Sequence, residues 1–427
     1  MTVQAARGAA QLESTYAWGR LFASLALMTI GGAGMYAVVV ALPEVQAEFS
    51  VDRSLASLPY TLTMVGFGLG GVLMGRLADR FGVIVPVLIG AASLGLGFIA
   101  AGAAPGILVF ALVQGAMIGF LGSSATFAPL VADVSFWFLR RRGLAVAICI
   151  SGNYLAGALW PTVLQHFFDL YGWRTTFQGV GLFCLVAMPP LALMLRRRPP
   201  SLASSATDLP ARTGSTAPLG MAPGLLQFWL CVAGVACCVA MSMPQVHIVA
   251  YCGDLGFAAA RGAEMLSLML GCGIVSRLAS GWISDRIGGL RTLLLGSSLQ
   301  AIALTLFLPF DGLATLYVIS ALFGLFQGGI VPSYAIIVRE YFTPLEAGRR
   351  VGTVLMATLF GMALGGWLSG AIFDLTGSYR AAFINGIGWN LLNLAIVIAL
   401  LRRAGGLRLI ASSVRTAAAG GRRATSQ

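Results

Sequence analysis

Residues 75–82 read GRLADRFG, and residues 281–288 read GWISDRIG. The two octets share Gly, Asp-Arg and Gly at matching places and lie 206 positions apart. A second pair, DLYGWR at 169–174 and DLTGSYR at 374–380, recurs at an offset of 205 to 206. Two recurrences at nearly one offset describe a duplicated unit. Each octet joins two apolar stretches, so the unit is built from membrane-length segments.

The composition agrees. Hydrophobic residues make up 58% of the chain, charged residues 10%, and mean hydropathy is +0.87. A soluble domain carries about 25% charged residues. Twelve apolar stretches of bilayer-crossing length are read at 18–41, 57–77, 84–103, 107–132, 143–165, 175–195, 225–250, 262–283, 292–310, 313–337, 351–371 and 381–401. The fold class is therefore an all-α polytopic membrane protein, twelve transmembrane helices in two six-helix halves. The domain reading is an N-terminal tail at 1–17, a first bundle at 18–195, a Pro/Ser/Thr-rich linker at 196–224, a second bundle at 225–401 and a basic tail at 402–427. Paired six-helix halves around a central site are the architecture of an alternating-access carrier.

All 27 basic residues are arginine, and the chain has no lysine. Arginines gather between spans, as orientation by positive charge requires. Twenty-two fall in segments read as cytoplasmic and four, Arg53, Arg174, Arg261 and Arg380, in outer loops. Both termini are then cytoplasmic, and the expected location is the cell inner (plasma) membrane. The net charge of +12 is topogenic and lipid-facing rather than a sign of nucleic acid. The seven cysteines match no metal-ligand spacing. The polar, Ala-rich first residues do not read as a cleaved signal peptide. No nucleotide loop, metal cluster or nucleophile–base arrangement points to an enzyme or an ATP-driven pump.

Within the repeated loops, Gly75, Asp79, Arg80, Gly281, Asp285 and Arg286 are candidate gating residues. Glycine permits close helix approach, and the carboxylate can sit at a helix N-terminus and pair with arginine. Asp133 and Glu340, near the inner ends of spans 4 and 10, are further gate candidates, with Arg142 and Arg339 as their partners.

GRLADRFG resembles the signature loop of the major facilitator superfamily, and GWISDRIG its second-half counterpart. The segments SFWFLRRRGLAVAICISG at 135–152 and REYFTPLEAGRRVGTVLMATLFGMALGGWLSGAIFDLTGSY at 339–379 resemble the monocarboxylate-transporter-like branch, which includes relatives of bacterial oxalate/formate antiporters. The resemblance covers roughly 18–403 and implies carrier function without fixing a substrate.

The remaining arginine, Arg277, lies inside span 8, in GAEMLSLMLGCGIVSRLASGWISDRIG. An arginine at mid-helix costs roughly 2.5–3.5 kcal/mol on insertion scales, and it does not escape by losing its proton. It needs a carboxylate, carbonyls or water, and its own helix supplies no acid nearby. A guanidinium in a wet cavity fits a ligand carboxylate with both oxygens engaged. A salt bridge to another helix and snorkelling toward the inner face are the alternatives. The resemblance implies the first, since Arg277-Leu-Ala-Ser-Gly281 is similar to the span-8 arginine segment that engages substrate carboxylate in monocarboxylate carriers. Proton-coupled animal members carry an aspartate four residues earlier, where this chain has Gly273. The lysines that the branch uses in spans 1 and 11 are missing too.

Tyr36, Gln114, Asn153, Tyr154 and His247 are the other candidate substrate-binding residues, each a hydrogen-bonding group inside an apolar span. The reading at this point is a secondary active or facilitative transporter of small organic monocarboxylates. A multidrug or amphipathic-metabolite exporter on the same fold is the alternative. The expected partners are a small organic anion, a proton as optional co-substrate, and membrane lipids. No cofactor, metal or obligatory protein partner is expected.

Overall fold

The computed structural model describes residues 12–138, 141–197 and 218–405. All regular structure among them is helical. Eleven helices are long and apolar enough to cross a membrane: Thr15–Val40, Arg53–Phe81, Ile84–Gly102, Ile107–Trp137, Arg142–Leu193, Pro223–Asp254, Ala259–Ile287, Gly289–Leu306, Leu313–Tyr341, Glu346–Thr376 and Tyr379–Arg403. The fifth has 52 residues. As one rod it would reach about 78 Å, more than twice the roughly 30 Å hydrocarbon core. It turns at Gly172, whose φ of 74° and ψ of 159° lie outside the helical region. That glycine makes it two crossings, spans 5 and 6, and the total twelve. The sequence reading ends span 5 at 165 and begins span 6 at 175, with a loop between them. Helix instead runs up to the turn on both sides, because only Gly172 needs a backbone that other residues resist.

The repeated octets also have a conformational cause. Their last glycines, Gly82 and Gly288, end spans 2 and 8 with φ of 87° and 82°. The same turn is made twice, and in both halves only glycine makes it without strain. These loops lie at one end of the molecule, called here the signature end, and the opposite end is the far end.

Two spans are not the plain helices their hydropathy suggests. Span 4 passes from α-helix into a π-helical stretch, Gln114–Gly122, then a 3-10 turn, Ser123–Thr126, before α-helix resumes at Ala128–Trp137. Span 10 breaks between Leu313–Gln327 and Ile330–Tyr341. The breaks fall at Gly122 and Gly328, again 206 positions apart. Span 1 is interrupted at Gly32 and leads into a short helix, Leu42–Phe49, before span 2 begins.

Large apolar side chains such as Leu112, Val186, Leu182 and Trp282 point outward. A soluble protein avoids so much exposed apolar surface, and a membrane protein needs it. Inside the first half, Arg20 is only 1% exposed and grips Asp133 in a two-pronged ion pair, both hydrogen bonds 2.7 Å long. Tyr16 accepts from Arg20 and donates to the Met194 carbonyl, which ties spans 1, 4 and 6 together. The sequence reading counts Arg20 among the cytoplasmic arginines and pairs Asp133 with Arg142. The structure corrects both: Arg20 is buried, and Arg142 donates to Ser135.

Candidate functional site

A cavity of 160 Å³ lies between the halves, lined from both. Span 1 contributes Tyr36 and Met35, span 2 Met64 and Phe67, and span 5 Asn153 and Tyr154. From the second half come Gln245 on span 7, Leu270 and Arg277 on span 8, and Thr358 on span 11. Arg277 carries the only charge on this wall. It is ten residues from the end of span 8, about 15 Å along the axis.

Packing aims the guanidinium. Its carbon lies 4.2 Å from the centre of the Tyr154 ring, and its Nε donates to the Gly328 carbonyl at 3.4 Å. That carbonyl lacks its helical partner because Pro332, four residues on, has no N–H to donate. The Tyr154 ring rests on Gly273, where any β-carbon would collide with it. So the position at which related carriers place an aspartate holds a glycine here, and an aromatic face occupies the space. A cation over an aromatic ring gains roughly 0.5–2 kcal/mol, less than a carboxylate supplies in a desolvated site. The guanidinium makes no ion pair among the described residues. Tyr36 packs in the same way, its hydroxyl against Gly157, and donates to the Asn153 carbonyl at 3.4 Å.

Four of the six expected binding residues thus meet at one cavity: Arg277, Tyr36, Asn153 and Tyr154. Gln114 and His247 do not line it. Gln114 is fully buried, with neither amide atom bonded among the described residues. His247 is fully buried as well. Its Nε2 lies 2.8 Å from the Gly366 carbonyl, which only accepts, so Nε2 carries the proton. Its Nδ1 then accepts from the Tyr379 hydroxyl at 3.0 Å.

That histidine belongs to a cluster at the far end. Arg53, on the first half, reaches into the second. It donates to Tyr379 at 2.7 Å and to both oxygens of Asp254 at 3.1 and 3.2 Å. The Phe373 ring lies 4.6 Å from its guanidinium. Asp374 accepts from the backbone N–H of Arg53 and of Ser54, each at 2.8 Å. A carboxylate there satisfies the open N–H groups at the start of span 2 and favours its dipole. The far end is therefore latched between the halves. The sequence reading places Arg53 among the four outer-loop arginines. Its one signal was the recurring Asp-Leu-x-Gly motif that carries Asp374.

The signature end differs. Asp79, Arg80, Asp285 and Arg286 are exposed and form no ion pair among the described residues. Arg80 lies over Phe81 and Arg286 over Trp282, each within its own half. Gly75 and Gly281 have open space where a β-carbon would sit. Glu340 accepts from the backbone N–H of Gly289, capping span 9, rather than pairing with Arg339. No ion pair joins the halves at this end among the described residues.

The sequence profile of the Major Facilitator Superfamily matches residues 23–313 and 265–416. The chain belongs to this superfamily. Monocarboxylate transporter 13 of Rattus norvegicus is 28% identical over 77% of this chain and 75% of its own length. Among solved structures, a peptide transporter, POT, in complex with alafosfalin superposes with a TM-score of 0.72 at 13% identity, over 94% of this chain and 99% of that one. A bacterial homologue of the human lysosomal transporter Spinster, in an inward-facing and occupied conformation, superposes with a TM-score of 0.66 at 14% identity, over 94% and 98%. The chain is a polytopic secondary transporter with the two-bundle major facilitator architecture.

Proposed function

We propose that this carrier moves a small organic monocarboxylate, held by its carboxylate on Arg277. The observation that carries the reading is an arginine with no acidic partner among the described residues, facing a cavity shared by both halves. One fixed charge matches one carboxylate. The similarity to Monocarboxylate transporter 13 points the same way. The volume supports a small ligand over a drug-like one, since 160 Å³ falls below the roughly 300–1,000 Å³ of pockets for drug-sized molecules.

Transport follows from the latch. With the signature end cytoplasmic, as the arginine distribution favours, the far-end cluster of Arg53, Asp254, Asp374 and Tyr379 closes the outside. Breaking it and pairing the signature loops exposes the cavity to the other side. Arg277 is neutralised only when an anion is bound. The loaded carrier is then cheaper to occlude than the empty one, because a naked charge in an apolar surround is costly. The reading favours exchange of anions over uptake driven by protons.

Proteoliposomes containing the purified carrier test this with a panel of labelled carboxylates and uncharged amphipathic compounds. Saturable carboxylate uptake that Arg277→Ala and Arg277→Lys both abolish is the expected result. Undiminished carboxylate uptake by both variants, or robust movement of the amphipathic compounds alone, would overturn the assignment.

A further inference from the structure

The proposal that follows rests on the carboxylate reading and narrows it to one chemical class. Two properties of the cavity go beyond a site for a carboxylate. The first is its apolar wall. Met35, Met64, Met241 and Met362 come from four different spans, and Phe67 and Phe127 meet edge to face, their ring centres 5.7 Å apart. Methionine and phenylalanine offer polarizable, adaptable surface that suits a flat ring. A cavity of 160 Å³ is close to the roughly 150 Å³ space known to take up benzene. A two- or three-carbon acid leaves most of this wall uncovered.

The second property is an amide pair. Gln245 on span 7 lines the cavity and donates its Nε2 to Gln327 Oε1 at 2.9 Å. Gln327 is fully buried, and its own Nε2 has no partner among the described residues. Gln245 Oε1 accepts no hydrogen bond from any described residue. Turning both amides over only exchanges the roles, leaving one amide nitrogen and one amide oxygen wholly unused between them. Gln327 does not line the cavity, so a ligand reaches the second amide atom of Gln245, an acceptor in one orientation and a donor in the other, and a hydroxyl suits both. Gln327 directly precedes Gly328, whose carbonyl holds Arg277, so both polar features hang on the same break in span 10.

We propose that the cavity takes a ring-sized aromatic monocarboxylate that carries a ring hydroxyl. The carboxylate lies on Arg277, the ring lies against the methionine and phenylalanine wall, and the hydroxyl bonds the Gln245–Gln327 pair. Gln245 is then the residue that reads the ring substituent.

The test is carrier-mediated uptake in proteoliposomes of labelled 4-hydroxybenzoate, benzoate and propionate, by wild type, Gln245→Leu and Arg277→Ala. Wild type is expected to show a KM for benzoate about a hundredfold below that for propionate, from four more buried carbons. Its KM for 4-hydroxybenzoate should be about tenfold lower again, from one hydrogen bond. Gln245→Leu should collapse the ratio between the two aromatic acids while preserving the ratio of benzoate to propionate. Propionate served as well as benzoate overturns the ring assignment. A hydroxyl preference that is absent in wild type, or that survives in Gln245→Leu, overturns the role of the amide pair. In either case Arg277-dependent uptake of propionate or benzoate leaves the carboxylate reading standing. Transport of none of the three acids removes both.

Discussion

Arg277 was legible because a charge inside an apolar span is costly enough to demand a reason. What surrounds it was not. Tyr154 and Gly273 lie on different helices, and the contact of ring on glycine exists only once spans 5 and 8 have packed. The structure makes that contact testable. Gly273→Asp supplies the missing carboxylate but places a β-carbon where the Tyr154 ring sits. The ring must leave the guanidinium, and the new acid competes with the ligand for it. Carboxylate affinity should fall by about tenfold or more, as for loss of a charge-assisted hydrogen bond, measured as the KM of uptake. Gln114 and His247 show the limit of such reading. A polar residue in an apolar span announces that it needs a partner but not which way its helix face turns. His247 found its partners in Gly366 and Tyr379. Asp133 found Arg20, more than a hundred residues away in the chain. Removing one member of that buried pair, as in Arg20→Leu, should destabilise the protein by about 3–5 kcal/mol, because the other charge is stranded. Replacing both by apolar residues should recover most of the loss, read as the midpoint of thermal unfolding in detergent.

At the scale of elements, the twelve crossings followed from hydropathy, and the paired turns from the repeated glycines. The breaks in spans 4 and 10 did not, because hydropathy averages over backbone geometry and a glycine run looks equally apolar whether α, π or 3-10. The far-end latch was hidden for a related reason: its members are loop-proximal charges of an ordinary kind until the halves close over them. Arg53→Ala removes its centre. Hydrogen–deuterium exchange at residues 245–254 should then rise relative to wild type, while exchange near Gly82 and Gly288 is unchanged. Protection that stays the same at 245–254 would show that other contacts hold the far end. The short helix Leu42–Phe49 offers a pH test outside the spans. Burial, and then the charge of Asp169, raise the pKa of Glu44 above the ordinary carboxylate range. A raised carboxyl pKa in the folded state means stability that is full below the unfolded pKa and lost as pH rises through the folded one. Glu44→Gln should therefore raise the unfolding temperature at pH 7. The gain should vanish below about pH 4, where wild-type Glu44 is protonated in both states.

For the whole molecule, duplication, two bundles and a shared cavity form one consistent picture of alternating access. The sequence carried the architecture because repeat offset and charge distribution are properties of the chain itself. The state of the carrier belongs to packing: latched at the far end and, among the described residues, without an ion pair between halves at the signature end. A cavity whose only charge is Arg277 predicts that carboxylate on the opposite side of the membrane accelerates uptake severalfold. It also predicts that an inwardly directed proton gradient without counter-substrate does not drive accumulation. Proton-driven accumulation without counter-substrate would require an acid that the cavity wall does not supply.

Equilibrium binding to the purified protein shows whether Arg277 holds the ligand's carboxylate. Labelled benzoate should bind wild type saturably, and Arg277→Ala should weaken binding by about a hundredfold, the worth of a charge-assisted bond near 3 kcal/mol, with thermal unfolding unchanged. Equal binding by the two proteins would contradict the claim.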